Sequence, residues 1–155
     1  MKAVLQRVSR ASVRVDGEVV GEIERGAVVL LGVLLGDTSG EVAWMAKKTA
    51  ELRFFEDDGG KMNLSLLDLA RAGVPVGVLV VSQFTLAADG RKGRRPSFDQ
   101  AAPPEVAEPL YEEFCSQLRE LGLTVAQGRF RAMMEVSLVN QGPATFILER
   151  IRTPI

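Results

Sequence analysis

The sequence predicts an α+β fold: a single β-rich domain over residues 1–155, with an antiparallel or mixed, barrel-like sheet and two main amphipathic helices packed on one side. Strand-like runs outnumber helical ones and do not alternate with them regularly, which disfavours a doubly wound nucleotide fold. Two of the runs, 27–35 and 76–81, are apolar throughout, as strands buried on both faces must be. Two other segments, 39–53 and the one after Pro103-Pro104, repeat apolar residues at three- and four-residue spacing.

Taken in order, residues 3–15 place Val4, Val8, Val13 and Val15 among polar neighbours, and Asp16-Gly17 turns the chain into a second run, 18–24: a β-hairpin. The run 27–35 follows as the middle of the sheet, ending at Gly36-Asp37. Asp37, Thr38 or Ser39 caps a helix whose stripe is Val42, Met45, Ala46, Thr49 and Leu52. Residues 56–60, Glu-Asp-Asp-Gly-Gly, form a turn, and a short helix over 66–71 closes at Gly73. The interior strand 76–81 runs out into Ser82-Gln83-Phe84-Thr85-Leu86. Residues 87–104 are a long glycine-rich, basic loop with no periodicity. The second helix carries Ala107, Leu110, Tyr111, Phe114, Leu118 and Leu121 on one face and stops at Gly122. Three strands then follow, 124–130, 133–139 and 144–151, the last two separated by Asn140-Gln141-Gly142-Pro143.

Composition narrows the chemistry. The chain is 46% hydrophobic and 25% charged, enough to bury a core. Nineteen Lys and Arg against twenty Asp and Glu give a net charge of −1, so a nucleic-acid partner is held by a local patch and not by a global field. Zero histidines remove Ser-His and Cys-His catalysis, His-ligated zinc and imidazole acid/base work together. The single Cys115 excludes an internal disulfide and a Cys-cluster metal site, and no cofactor motif follows any strand. Arg7, Arg10 and Arg14 interrupt the stretch a signal peptide would need, so the expected location is cytoplasmic, away from membranes.

Three segments carry candidate chemistry. In 82–86 the Ser82 and Thr85 hydroxyls, the Gln83 amide and nearby N–H groups either line a pocket mouth or simply end a strand; a hydroxyl nucleophile there lacks a histidine base. Pro143 has no N–H and marks an edge, a bulge or a tight turn, and a cis Gly142-Pro143 bond would aim two carbonyls unusually. Arg91, Lys92, Arg94 and Arg95 are either a solvated loop or a phosphate contact. Cys115 reads as a buried, inert thiol, and Trp44, Met133 and Met134 as core or pocket wall.

Six blocks in order resemble the D-aminoacyl-tRNA deacylase family of bacterial and eukaryotic type: 5–13 (LQRVSRASV), 60–63 (GKMN), 82–86 (SQFTL), 95–98 (RPSF), 128–130 (GRF) and 136–143 (VSLVNQGP). The resemblance implies a homodimer in which residues 82–85 of one subunit meet the Gly-Pro motif of the other. It makes Gly142 and Pro143 a chirality filter whose carbonyls fill the space an L side chain needs, with Ser82, Gln83, Phe84 and Thr85 the opposite wall. Arg7 matches the arginine that braces the Gly-Pro turn, and Met134 a methionine near the pocket. Ala144 stands where many relatives carry valine. The implied substrate is the 3′ acceptor end of D-aminoacyl-tRNA, with amides near Phe84 and Thr85 holding the carbonyl oxygen and the ribose 2′-hydroxyl helping water, so that Thr85 positions and does not attack. A filter of this kind cannot reject glycine, so glycine mischarged on the alanine tRNA is an expected substrate. Two other readings compete: a nucleic-acid binding module without turnover, although no DNA partner is expected at this net charge, and an ordinary esterase with Thr85 or Ser82 as nucleophile.

Overall fold

The computed structural model describes residues 1–151; the last four residues of the predicted domain lie outside them. Its elements are β1 (Lys2–Val15), β2 (Glu18–Ile23), β3 (Gly26–Gly32), α1 (Ser39–Glu51), β4 (Phe55–Glu56), β5 (Met62–Leu64), α2 (Leu66–Arg71), β6 (Gly77–Ser82), a 3-10 turn (Phe84–Ala87), α3 (Pro104–Glu120), β7 (Thr124–Gln127) and β8 (Glu135–Glu149). Asp16 and Gly17, at φ 50° and 79°, make the hairpin turn between β1 and β2. Thr38 caps α1 in a reciprocal box with Glu41. Asp37 is engaged differently: its carboxylate accepts from Leu34 N and from the Met1 ammonium, both in the 2.7–2.8 Å range.

The main sheet is mixed, in the order β2-β1-β3-β6-β7, with β8 on the free edge of β1. β2 and β3 share one edge of β1, β3 facing residues 2–8 and β2 facing residues 11–15, and both run antiparallel to it. The β3–β6 and β6–β7 pairs are parallel. β2 then bends over toward β7 and curls the sheet toward a barrel. Backbones approach so closely there that a Cβ on Gly21 would lie 2.3 Å from Gln127 O, and one on Gly26 only 1.8 Å from Gly77 O.

The two faces of the sheet bury separate cores. On one side α1 and α3 lay Val42, Met45, Tyr111, Phe114 and Leu118 over Leu5, Val29, Leu31, Val78 and Val80. On the other, inside the curl, Val8, Ala11, Val13, Val28, Leu79 and Val81 pack together. β3 and β6 therefore have no solvent face, which accounts for their unbroken apolar runs.

The structure corrects four sequence boundaries. β3 ends at Gly32 and not at residue 35; Leu34 makes only an isolated bridge to Ala101, and Leu35 is exposed. α1 stops at Glu51, because Leu52 is extended. β7 ends at Gln127, after which 128–132 turns. Most consequential, Gly142-Pro143 does not divide two strands: β8 runs through it. Gln6 pairs with Thr145 and Val8 with Asn140, so four residues, 141–144, oppose the single Arg7 in a wide bulge on an edge strand. The missing N–H of Pro143 falls where no ladder bond is needed.

Candidate active site

β6 delivers Ser82, half-buried, to the end of the sheet between the two cores. Gln83 N donates to Leu31 O at 2.8 Å, tying the exit to β3, and the chain tightens into the 3-10 turn with Leu86 N on Gln83 O and Ala88 N on Thr85 O. Gly32 makes this approach possible: a Cβ there would sit 3.0 Å from both Gln83 O and Leu86 Cβ. The N–H groups of Phe84 and Thr85 open the turn and take no acceptor among the described residues. Gln83 Nε2 donates to Thr85 Oγ1, so the hydroxyl is already held by an amide, and no carboxylate or amine among the described residues bonds it. The ring of Phe84 is 56% exposed and meets Phe98, 38% exposed, edge to face at 5.2 Å between centroids.

The Gly142-Pro143 peptide is cis, and both residues are exposed on the bulge while Ala144 behind them is buried. Arg7, only 7% exposed, fills the gap in β1 that the bulge leaves. Its Nε donates to Gln141 O at 3.1 Å, its Nη1 to Phe54 O at 2.8 Å, and its Nη2 lies 4.0 Å from Glu56 Oε1. Asn140 closes the bulge from the other side, its Nδ2 donating to Arg7 O at 2.9 Å and Ala144 O at 3.2 Å. Gln6 Nε2 donates to Thr145 Oγ1 at the foot of the loop. The backbone of 141–144 is thus mounted on side-chain bonds where ladder bonds are missing. Arg7 is legible in the sequence only through the family motif; Asn140 was missed as a clamp, and its signal is an amide two residues before Gly-Pro, a residue type that bonds backbone across turns. In a single chain no hydrogen bond or ring contact among the described residues links 82–85 with 142–143.

Met134 precedes β8. It is half-buried against the second core, where a Cβ on Gly128 would come within 2.8 Å of its Sδ. Its neighbour Met133 is 92% exposed in the single chain, so it is not core: the chain has not yet entered β8, and Met133 has no opposing strand to cover it. Trp44 packs on the first core with Arg150 over its ring.

The basic loop is a pinned hairpin, closed by Asp89 N on Ser97 O and Ser97 N on Asp89 O. Arg91 folds back on Asp89 with Nε–Oδ1 at 2.9 Å and Nη2–Oδ2 at 2.6 Å. The guanidinium beside it holds the Asp89 carboxyl down at about 2. Lys92, Arg94 and Arg95 remain as exposed cations with no ion-pair partner among the described residues. A cleft of about 600 Å³ flanks this hairpin, lined by Leu34, Leu35, Ala87, Asp89 and Arg91 among others. A second groove of about 630 Å³, between β2 and β8, holds no residue of either motif. Cys115 is buried and its thiol is pushed up to about 12 by desolvation, an inert group. Among the described residues no group of three or more metal-ligating side chains gathers, and no helix is long and apolar enough to cross a membrane.

The family model described as D-Tyr-tRNA(Tyr) deacylase matches residues 4–149, and the chain belongs to that family. A D-aminoacyl-tRNA deacylase of Geotalea daltonii is 59% identical over 149 residues, 96% of each chain. One from Roseiflexus castenholzii is 56% identical, covering 96% of this chain and 92% of its own. A solved structure described as the c-Myc DNA Unwinding Element Binding Protein superposes with a TM-score of 0.88 at 44% identity, covering 98% of this chain and 100% of that one. A probable eukaryotic D-amino acid tRNA deacylase shares the fold, with a TM-score of 0.79 at 19% identity over 95% and 97% of the two chains.

Proposed function

We propose that this deacylase hydrolyses the ester joining a D-amino acid to the 3′ end of tRNA, and that it reads chirality with backbone groups of Gly142 and Pro143, on the 141–144 bulge lent by a second copy of the chain. The observation that carries the reading is the bulge itself: exposed, on an edge strand, and held by Arg7 and Asn140. A carbonyl pressed against Cα excludes a Cβ on that side, so an L-residue clashes, a D-residue fits and glycine passes. Glycyl-tRNA, including glycine mischarged on the alanine tRNA, is therefore a substrate. The open N–H groups of Phe84 and Thr85 hold the carbonyl oxygen as negative charge develops. Water adds to the carbonyl carbon with help from the ribose 2′-hydroxyl, the ester C–O bond breaks, and the ribose oxygen leaves with a proton. Thr85 positions the substrate; it has no base to make it a nucleophile.

A second copy suits β8, a long edge strand that exposes Val136, Val139 and Ile147. Lys92, Arg94 and Arg95 provide phosphate contacts for the acceptor end, with Arg91 partly spent on Asp89. The enzyme acts where charged tRNA is, in the cytoplasm.

The test is deacylation of matched D- and L-aminoacyl-tRNA, with and without the terminal 2′-hydroxyl. Cleavage of the D form, sparing of the L form and dependence on the 2′-hydroxyl are expected. Equal cleavage of both hands, equal cleavage of small esters lacking RNA, or a trapped aminoacyl ester on Thr85 would overturn it. The relative named for a DNA unwinding element favours a second reading, a nucleic-acid binder without turnover; catalytic release of free D-amino acid rules that out for this chain.

A further inference from the structure

We infer that Phe84 and Phe98 form a stacking platform for an unpaired base of the RNA 3′ end. The inference rests on the tRNA reading above, because it names the part of that substrate the site engages. Both rings belong to loops and not to either core, yet they stay in water and meet edge to face at 5.2 Å. Phenylalanines left this open gain less for folding than core rings do, whereas an aromatic face beside positive charge is the usual means of holding unstacked bases. The charge is close by construction. Phe98 follows Ser97, which closes the basic hairpin against Asp89, and Phe84 opens the turn that leads into the hairpin's other arm. Lys92, Arg94 and Arg95 thus rise from the same base as the rings, an arrangement that tracks a single strand: phosphates along the hairpin, a base on the rings. The platform reads a π-face that every base has, so it confers affinity for the acceptor end without selecting an amino acid.

Phe98 is the residue to test, since Phe84 belongs to the catalytic turn. An uncharged RNA hairpin with a short unpaired 3′ overhang carries 2-aminopurine at each overhang position in turn, and fluorescence reports stacking apart from any ester chemistry. The expected result is quenching at one position on binding, with Phe98→Ala weakening the dissociation constant about 5- to 150-fold and abolishing the quench. Phe98→Leu, which keeps apolar bulk without a π-face, should behave like Phe98→Ala, and Phe98→Tyr like wild type. Replacing Lys92, Arg94 and Arg95 by serine should flatten the salt dependence of binding and leave the quench at saturation intact. Unchanged binding and quench in Phe98→Ala, with a wild-type unfolding midpoint, would overturn the inference. So would dissociation of a dimer into monomers by Phe98→Ala, which would make the rings a subunit contact. Because the probe carries no ester, a wild-type protein that deacylates normally but quenches no overhang position sinks the platform alone, and a wild-type quench without deacylation sinks the function alone.

Discussion

Replacing Arg7 by methionine is the sharpest test of the mounted bulge. Methionine keeps most of the buried volume, so the cavity term is small and the loss falls on the hydrogen bonds. Phe54 O accepts from Arg7 Nη1 in a buried setting at 2.8 Å and is left without that donor, which costs about 1–3 kcal/mol. Gln141 O is only partly buried and recovers part of its loss from water, adding about 0.5–1.5 kcal/mol. The sum, roughly 1.5–4.5 kcal/mol, leaves a domain of ordinary stability folded at room temperature and lowers its midpoint by roughly 3–18 °C. Urea unfolding reads that term. Deacylation of D- and L-aminoacyl-tRNA reads the other: a bulge released at Gln141 should discriminate the two hands less well, with kcat/KM for the D form falling more than KM rises. Arg7→Lys, with a single ammonium in place of a planar fork, should be intermediate in both. Stability within about 0.5 kcal/mol of wild type would refute the hydrogen-bond reasoning. A clear stability loss with an unchanged D/L ratio would refute the claim that the clamp serves the filter.

Gly26→Ala should cost more than about 4 kcal/mol or prevent folding, because its Cβ meets backbone at 1.8 Å, whereas Gly128→Ala meets only the flexible Met134 Sδ at 2.8 Å and should cost under about 1.5 kcal/mol by urea unfolding. Gly32→Ala should lower deacylation more than stability, since the atoms 3.0 Å from its Cβ belong to Gln83 and Leu86 of the strand exit proposed to hold the substrate; equal activity would remove that role. Cys115 should be silent to thiol reagents in the native protein at pH 8. Its folded value near 12 lies above the ordinary 9.0, so its contribution is whole below 9 and is lost as pH rises toward 12, and Cys115→Ala should reduce that alkaline slope, the remainder coming from Tyr111, which burial also pushes up. By carbon-detected NMR Asp89 should titrate near about 2 and return toward 3.8 in Arg91→Gln; the pairing that orders the hairpin is then present above the ordinary carboxylate value and lost as pH falls toward 2.

What the sequence made legible follows from how local each signal is. Asp16-Gly17 specifies its turn from two residues, and the stripes of α1 and α3 are visible because one face of each is buried. The apolar runs of β3 and β6 pointed to strands covered on both sides, and two cores cover them. The continuity of β8 was not legible. A Gly-Pro between apolar runs looks like a turn, and only pairing with β1 across more than a hundred residues shows that four residues stand against one and that the strand resumes. The same distance hid Asn140 as a clamp, and the meeting of Phe84 with Phe98 was hidden by a loop whose closure at Asp89 and Ser97 has no periodic signal. The basic loop misled in the opposite way, because a tally of four cations ignores that Asp89 stands two residues from Arg91 and takes it up in a bidentate pair. The reacting groups proposed above were the least legible part, for a chemical reason. Chemistry done by N–H and C=O groups has no residue-type signature, and a chain with no histidine announces only which mechanisms it lacks. A site of the kind proposed is inferred from the side chains that hold its backbone in place, and that is why Arg7 and Asn140, which bond backbone carbonyls around the bulge, are the residues whose replacement tests the proposal most directly.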